Sequence, residues 1–392
     1  MTLSVAIIGG GIGGLSAALA LLREGFDVQV YEQAARFGEI GAGIQISPNA
    51  SRLLYRYGLA EAMHRYGVRP RAVHQKRWDD ARTLQRAPLG PEVEARFGAP
   101  YFHFHRGDLA ALLAGAMPTE RTHAGHRLVD VDERGERIVA RFDNGASAEA
   151  DLLIGADGIH SRVRHLVFGP EKPRFTGCVA WRGLVPAERI AHLEIEVASH
   201  NWMGPGAHCV HYWVSAGRFM NVVCVVEHGA WTSESWTDKG RVEDVLALYE
   251  GWHPTVRGLI SAFPETFIWA LHDRLPLPRW SQGRVTLLGD ACHPMLPMMA
   301  QGAAQAIEDG AALAALLKAM PDDVPAALRR YEDVRKPRAT RLQEASAANR
   351  VRFHLPDGPD QQKRDHAMAT SGDRSFDNIA WLYQHDAAEA QP

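Results

Sequence analysis

A glycine-rich turn near the N-terminus constrains the fold more than any other feature of this sequence. The apolar run from Val5 to Ile8 precedes the letters GGGIGG, and a helical pattern, LSAALALLREG, follows them. A second apolar run over residues 27–31 ends at Glu32, at about the spacing at which an acid reaches a ribose hydroxyl. These features predict a βαβ unit that binds a dinucleotide. The alternative is a glycine turn with a purely structural role.

Two later apolar runs also end in polar residues. Residues 151–154 lead into GADGIHSRVR, which contains Asp157, and residues 285–288 lead to Asp290. Since open α/β sheets bind ligands at the carboxyl ends of their strands, the three strand ends are predicted to serve one ligand. Residues 301–317 have helical composition, and the N–H groups at the start of such a helix favour an anionic or reducible ring system. A dinucleotide contacted along its length fits FAD better than NAD.

The other patterns predict a region rich in antiparallel strands. Residues 72–89 alternate as a β-hairpin, and residues 127–150 read as a three-stranded meander. Between residues 177 and 270 the chain alternates Trp and Val with few helical signals, which is typical of an antiparallel sheet. One helix, from Val242 to Trp252, is predicted to cover that sheet. The chain is therefore predicted to have an α/β fold with a second, β-rich domain.

The length of 392 residues also predicts more than one domain. Pro337 falls inside a charged helical pattern and should kink or divide that helix. We divide the chain into an FAD-binding domain in three parts, a β-sheet substrate domain in two parts and a C-terminal tail. The FAD-binding domain comprises residues 1–71, 100–176 and 273–350, and its last part includes C-terminal helices. The substrate domain comprises residues 72–99, a hairpin, and residues 177–272. The tail comprises residues 351–392.

Charge and cysteine content exclude several classes of function. A net charge of −3, with acidic and basic residues interspersed, gives no electrostatic case for binding nucleic acid or an anionic membrane. The four cysteines show no metal-ligand spacing, so we interpret them as reduced thiols and expect no metal. The N-terminal apolar segment is too short to span a bilayer. The sequence predicts a cytoplasmic protein, and it leaves open whether the protein is a monomer or a homodimer.

Three motifs together resemble those of a known enzyme family. GGGIGG, GADGIHSRVR and GDACHPMLPMMAQGAAQAIEDG are similar to the motifs of the single-component aromatic-ring hydroxylases, which are flavin monooxygenases of the para-hydroxybenzoate hydroxylase fold. GAGIQISPNA and FHFHRGDL look most like the salicylate 1-hydroxylases and the 6-hydroxynicotinate 3-hydroxylases. The resemblance implies a Rossmann-like FAD domain, an interleaved antiparallel β-sheet substrate domain and C-terminal helices.

The resemblance also implies which residues contact FAD. Glu32 would bind the adenosine ribose, and Arg106 would reach the ribityl and phosphate region. Asp290 would hold the diphosphate and ribityl end, while Asp157 would lie between FAD and the face that the nicotinamide donor approaches. The remaining implied contacts come from backbone: Gly9, Gly11, Gly13 and Gly14 under the diphosphate, Leu128 near the adenine, and Gly302 with Ala303 at the pyrimidine edge of the flavin.

The implied reaction is hydroxylation of a small hydroxy-aromatic acid. NADH or NADPH would reduce the FAD, and O₂ would then give a flavin C4a-hydroperoxide that the ring attacks. Salicylate is the substrate expected first, with or without decarboxylation, and 6-hydroxynicotinate or 3-hydroxybenzoate is the alternative. A non-catalytic FAD-binding sensor is a more distant alternative, and an NAD-dependent dehydrogenase would leave the second and third motifs unexplained.

Four residues are predicted to act on the substrate. Strand alternation places Cys209, His211 and Trp213 on one face and His208 with Tyr212 on the other, so only one set can face the flavin. We expect His211 to face it, and a histidine there suits removal of the phenolic proton. The other three predicted substrate-binding residues are Gln45, Arg182 and Pro297, although the hydroxynicotinate hydroxylases carry histidine where this chain has Gln45.

Overall fold

A computed structural model describes residues 2–37, 41–229, 238–370 and 375–392. Within these ranges the chain forms nineteen strands and twelve helices. The strands are β1 (Ser4–Ile8), β2 (Asp27–Tyr31), β3 (Gly43–Ile46), β4 (Ala72–Arg77), β5 (Thr83–Pro88), β6 (Phe102–His105), β7 (Thr122–His123), β8 (Leu128–Arg134), β9 (Arg137–Phe142), β10 (Ser147–Ala150), β11 (Leu152–Gly155), β12 (Arg174–Pro186), β13 (Ser199–Gly204), β14 (Ala207–Val214), β15 (Phe219–Glu227), β16 (Asp238–Gly240), β17 (Thr266–Asp273), β18 (Ser281–Gln282) and β19 (Val285–Leu287). The helices are α1 (Ile12–Arg23), α2 (Pro48–Arg56), α3 (Ala60–Tyr66), α4 (Pro91–Phe97), α5 (Arg106–Gly115), α6 (Arg162–Phe168), α7 (Val242–Leu248), α8 (Pro254–Ser261), α9 (Gly302–Ala319), α10 (Val324–Phe353), α11 (Pro359–Thr370) and α12 (Ser375–Tyr383).

A six-stranded sheet brings the three glycine-containing turns to one edge. Its strand order is β18-β19-β11-β1-β2-β7, and all pairs are parallel except β18 with β19. The last residues of three neighbouring strands, Ile8, Gly155 and Leu287, are in register. Because parallel strands point the same way, the turns after β1, β11 and β19 lie side by side. The predicted convergence of the three strand ends is confirmed.

Helices α1 and α9 lie against each other with almost no side chain between them. A Cβ added at Gly310 would come within 2.6 Å of the Cα of Ala17, so the contact requires glycine at that position. Helix α1 begins directly after β1, and α9 begins after the turn that follows β19. Both helix N-termini therefore point to the same edge of the sheet.

The second sheet has eight strands, in the order β16-β17-β12-β15-β14-β13-β4-β5. The predicted hairpin over residues 72–89 is present as β4 and β5 and joins this sheet through β13. Helices α7 and α8 pack on one face through an apolar cluster that includes Val245 and Leu259. The single helix predicted from Val242 to Trp252 is wrong in length, because α7 ends at Leu248 and a turn through Gly251, with φ of +77°, leads to a separate helix.

The remaining segments mostly follow the predictions. The meander over residues 127–150 is confirmed as β8, β9 and β10. Helix α10 runs unbroken past Pro337, so that proline does not divide it. In the C-terminal tail, Leu382 is buried, so this segment packs against the rest of the protein. All four cysteines lie in the described residues and are free and buried. Among the described helices, none combines the length and the apolar composition needed to cross a bilayer.

Candidate functional site

A cavity of about 540 Å³ lies between the turns of the first sheet and one face of the second. We call its two ends the cofactor arm and the substrate arm. The cofactor arm is lined by the starts of α1 and α9 with two charged side chains: Gly11, Gly13, Arg106, Asp290, Gly302 and Ala303. The substrate arm is lined by the second sheet, by the turn before α9 and by the C-terminal helices, and it includes the predicted Gln45, Arg182 and Pro297.

Two helix N-termini face the cofactor arm. Helix α1 has Gly11 at its N-cap and α9 has Gln301, and neither receives a side-chain capping bond from the described residues. Neither first turn contains an acidic residue. The first N–H groups of both helices are therefore available to a ligand, and both helix dipoles favour negative charge there.

Arg106 and Asp290 bring opposite charges to the same arm. Both residues have solvent-accessible surface, and both line the cavity. Burial by the surrounding protein raises the pKa of Asp290, and the charges of Arg106 and His293 oppose that rise. A long ligand with a diphosphate and hydroxyl groups matches this set of two helix N-termini, one cation and one carboxylate. The cofactor arm therefore fits FAD.

Three of the predicted cofactor residues shape the turn after β1 without lining the cavity. A Cβ on Gly9 would lie 2.4 Å from the Ala156 carbonyl oxygen, and one on Gly14 would lie 1.9 Å from the Gly9 carbonyl oxygen. These two glycines let the strand, turn and helix pack closely. Glu32 accepts hydrogen bonds from the N–H of Gly10, at 2.6 Å, and of Ala34, at 2.8 Å, which ties the end of β2 to the same turn.

Leu128 and Asp157 also lie off the cavity lining. Leu128 begins β8 and is buried in the core beneath the meander. Asp157 accepts hydrogen bonds from the backbone N–H of Arg162, at 2.7 Å, and of Val163, at 3.1 Å, and from the Ser161 hydroxyl. It therefore holds the N-terminus of α6, and its contact with the donor side of FAD stays a prediction.

A buried ionic network fixes α9 beneath the cofactor arm. Arg335 from α10 donates to Asp309 Oδ1 at 2.8 Å and to Glu308 Oε2 at 2.5 Å, and all three side chains are fully buried. Asp309 Oδ2 also accepts from the Gly289 N–H, at 2.9 Å, and pairs with His293 at 2.6 Å. The network links α10 and α9 to the turn that carries Asp290. His293 therefore holds this turn against α9.

The same network explains the one group of described residues with metal-binding geometry. Cys292, His293 and Asp309 place a ligand atom each within 4.8 Å of one another. Asp309, however, uses both carboxylate oxygens on Arg335, Gly289 and His293. We therefore interpret the group as part of the hydrogen-bonded network.

One row of residues crosses the wall of the substrate arm on six neighbouring strands. We call it the transverse row; its members are in register and all line the cavity: Arg182, Val223, Val210, Asn201, Gln75 and Gln85. Burial, followed by the charge of Arg106, lowers the pKa of Arg182 to about 10, so the guanidinium stays charged near neutral pH. The row thus offers a cation at one end, two apolar side chains in the middle and amides at the other end.

The amides of the transverse row are partly connected to each other. Asn201 Nδ2 donates to Gln75 Oε1 at 2.8 Å. Asn201 Oδ1 is buried and receives no hydrogen bond from the described part of the chain. Since a buried acceptor without a donor is costly, this amide favours a ligand that brings an N–H or O–H group.

The C-terminal helix α12 closes the substrate arm. Tyr383 lines the cavity, and its ring meets Tyr101 edge-on with the ring centroids 6.1 Å apart. Tyr101 in turn donates to Gln45 Oε1 at 2.7 Å. Two arginines hold the end of the helix: Arg52 donates to the carbonyl oxygen of His385 at 2.8 Å, and Arg338 to that of Trp381 at 2.9 Å.

The structure contradicts the expectation that His211 faces the flavin. His208, Val210 and Tyr212 line the cavity, so the pleat of β14 turns His211 to the opposite face, beneath α7 and α8. There His211 Nε2 accepts a hydrogen bond from Trp202 Nε1 at 2.9 Å. Burial lowers the pKa of His211 well below its ordinary value. His211 cannot reach a substrate in this cavity, and the cavity-facing His208 and Tyr212 are the residues that the prediction missed.

The buried histidines predict loss of stability in mild acid. Burial lowers the pKa of His103 and of His200 to about 3, with a smaller contribution from neighbouring charges. In the unfolded chain these histidines are protonated as the pH falls through about 6.5, whereas in the folded protein they stay neutral until the pH approaches 3. Protonation therefore favours the unfolded state, and the free energy of unfolding falls as the pH drops from 6.5 towards 3. At pH 5.5 each of the two histidines should lower the free energy of unfolding by about 1 kcal/mol. Urea unfolding at pH 7.5 and pH 5.5 measures this, and equal free energies at the two values would contradict it. In His200→Gln the difference should shrink.

Comparison with known proteins places this architecture among enzymes. The family model described as FAD binding domain matches residues 2–346. A 3-amino-4-hydroxybenzoate 2-monooxygenase of Streptomyces platensis is 42% identical over 384 residues, which cover 98% of this chain and 96% of that protein. A 6-hydroxynicotinate 3-monooxygenase of Pseudomonas fluorescens is 40% identical over 349 residues, or 88% of this chain and 90% of that one. A solved structure described as a salicylate hydroxylase substrate complex has a TM-score of 0.83 at 27% identity, with 98% and 96% of the two chains covered.

Proposed function

Because this chain belongs to the FAD binding domain family and is an FAD-dependent aromatic monooxygenase, we propose a substrate for it: a monocyclic aromatic acid with its hydroxyl opposite the carboxylate and a nitrogen beside the hydroxyl. The transverse row is the observation that carries this proposal. Its charged end suits the carboxylate, its two valines suit the ring, and its amides suit a hydroxyl with a neighbouring N–H.

The spacing of the row suits one ring. Three strand spacings of about 4.8 Å put the Cα atoms of Arg182 and Asn201 roughly 14 Å apart. Both side chains reach inward over this span, which leaves room for a six-membered ring over Val223 and Val210. A carboxylate and a hydroxyl on opposite ring positions would then meet Arg182 and Asn201 at the same time.

The names of two relatives support the same substrate chemistry. In 3-amino-4-hydroxybenzoate the hydroxyl lies opposite the carboxylate and beside the amino group, and in 6-hydroxynicotinate it lies opposite the carboxylate and beside the ring nitrogen. Salicylate has neighbouring hydroxyl and carboxylate groups and no nitrogen. The relatives at 42% and 40% identity thus favour the alternative named from the sequence over salicylate itself, whose hydroxylase matches at 27%.

The side chains of the cavity would divide the work with the cofactor. FAD, when bound, accepts a hydride from NADH or NADPH and activates O₂ for transfer of one oxygen atom to the substrate ring. Arg182 would orient the acid, and Asn201 would fix the rotation of the ring. Leu296 and Met298 from the turn before α9, with Phe353 from α10, line the same arm and would keep water away from the ring.

Product analysis tests the proposed function. The FAD-loaded protein is supplied with NADH or NADPH and, separately, with 3-amino-4-hydroxybenzoate, 6-hydroxynicotinate, 3-hydroxybenzoate and salicylate, and hydroxylated product is compared with NAD(P)H consumed. We expect efficient coupling with the first two acids and a kcat/KM for salicylate that is lower by about 10-fold or more, because its two polar groups cannot span the row. Preference for salicylate would contradict the proposed orientation. NAD(P)H oxidation that none of the acids stimulates would favour an FAD-binding sensor.

A further inference from the structure

Two buried histidines connect the substrate arm with the protein surface. His208 lines the cavity, and its Nδ1 lies 2.6 Å from Nε2 of His354. Nδ1 of His354 lies 3.2 Å from Oε1 of Glu227. The side chain of His354 is 1% exposed, whereas that of Glu227 is 52% exposed. A continuous line of hydrogen bonds thus runs from the cavity to solvent.

The direction of the hydrogen bonds follows from their chemistry. The Glu227 carboxylate can only accept, so Nδ1 of His354 carries a hydrogen. Burial lowers the pKa of His354, against the opposing effect of Glu227, and a neutral imidazole has one hydrogen, so its Nε2 accepts from Nδ1–H of His208. Burial also lowers the pKa of His208. Nε2 of His208 therefore has a free lone pair, and no described residue donates to it.

His208 lies in the row next to the transverse row on the same face of the sheet, diagonal to Asn201. It is two residues from Val210 on the same face of β14, and its partner across β13 is Met203, two residues from Asn201. Two residues along a strand span about 7 Å, within reach of a histidine ring. A hydroxyl held near Asn201 would therefore lie near the free lone pair of His208.

We propose that His208, His354 and Glu227 form a relay that carries the proton of the substrate's ring hydroxyl from the cavity to solvent. The inference rests on the proposed function. The ring O–H bond breaks as an Nε2–H bond forms on His208. The Nδ1 proton of His208 moves to Nε2 of His354, and the Nδ1 proton of His354 moves to Glu227, which releases it to water. The same path in reverse returns a proton to the product's ring oxygen and restores both tautomers.

Few other titratable groups face the relay among the described residues. Arg350, in the last turn of α10 just before His354, opposes a positive charge on that imidazole. Cys178 on β12 lies near Glu227, and burial raises the pKa of its thiol. The Tyr249 hydroxyl donates to the carbonyl oxygen of His208 at 2.7 Å, and burial raises its pKa well above the ordinary value. Both groups stay neutral near pH 7, so the relay histidines are the groups that exchange protons there.

Rapid-mixing measurements test the relay. The FAD-loaded full chain is mixed with 3-amino-4-hydroxybenzoate in weak buffer that contains a pH-indicator dye, and proton release is followed together with the absorbance of the ionised phenol. We expect the two signals to rise together in the wild type. In His354→Gln, which keeps polar groups of similar size, and in His354→Phe, both should slow by at least about 10-fold. Glu227→Gln should slow them less, since water can reach that end of the relay.

The controls separate a relay from general damage. His211→Gln, on the same strand but the opposite face, should leave proton release unchanged, and all variants should retain FAD and bind the acid. Proton release at the wild-type rate in both His354 variants would overturn the relay. A wild-type protein that shows neither an ionised phenol nor proton release with this acid would overturn the proposed substrate class and the relay with it.

Discussion

Replacement of Arg182 by glutamine is expected to lower kcat/KM for the aromatic acid by roughly 100-fold, mostly through a higher KM. In the wild type the Arg182 guanidinium would bind the substrate carboxylate in a buried arm. Removal of one partner of such a pair costs about 2–5 kcal/mol of binding free energy. Arg182→Lys keeps the charge but loses the planar fork, so its effect should be smaller, on the order of 10-fold. Steady-state kinetics with the accepted acid and with its carboxamide measure the effect.

Two comparisons show whether the carboxylate is the group that Arg182 binds. The carboxamide should be a poor substrate for the wild type, and Arg182→Gln should affect it little. Arg174→Gln is the matched control, because Arg174 lies on the same strand but forms a surface pair with Asp273. An unchanged KM in Arg182→Gln, or equal losses for acid and carboxamide, would contradict the role of Arg182 in binding the carboxylate.

Replacement of Arg335 by methionine is expected to destabilise the protein by about 3–5 kcal/mol, because two buried carboxylates would lose their shared cation. Burial raises the pKa of Glu308 and of Asp309, yet nearby positive charges, including Arg335, outweigh it and hold both at about 2. Without Arg335 the cost of burying these charges is no longer offset. The free energy of unfolding in urea, followed by circular dichroism, measures the effect.

Charge neutralisation supplies the control for this prediction. In the triple variant Arg335→Met, Glu308→Gln, Asp309→Asn the loss should be smaller than in Arg335→Met alone, since no buried charge is stranded. Lys336→Ala, at the next position of α10, removes a partly exposed pair with Glu332 and should cost about 1 kcal/mol or less. A similar free energy of unfolding for Arg335→Met and Lys336→Ala would contradict the importance of the network.

The cofactor half of the molecule could be predicted from sequence because its signals are local. A strand, a glycine turn and a helix follow one another within about 30 residues, and parallel strands must end at the same edge of their sheet. The ends of β1, β11 and β19 must therefore lie at the same edge of the first sheet. The positions of Gly11, Gly13, Asp290, Gly302 and Ala303 on the cavity follow from that geometry.

The substrate half depends on contacts that strand periodicity does not encode. Alternation in β14 separates His208 and Tyr212 from His211, but α7 and α8 cover one face of the strand and the cavity lies on the other, so both faces contain buried residues. No contrast between a polar and an apolar face could identify the side that meets the ligand. The wall formed by Tyr383 likewise depends on the tail folding back over the sheet.

The buried network did leave a trace in the sequence. Glu308 and Asp309 are adjacent acids in a helix otherwise crowded with alanine and leucine, and such a helix must bury most of its surface. Buried acids require a cation, which points to a partner elsewhere. Nothing local identifies that partner as Arg335, because α9 and α10 meet only in the folded chain.

The account depends most on how an aromatic acid lies across the transverse row. A crystal structure of the FAD-loaded protein with 3-amino-4-hydroxybenzoate tests this directly. We expect carboxylate oxygens within about 3 Å of the Arg182 guanidinium, the ring over Val210 and Val223, and the hydroxyl beside Asn201, the first amide of the row. A carboxylate bound beside Asn201, or a ring that does not contact the row, would contradict the account.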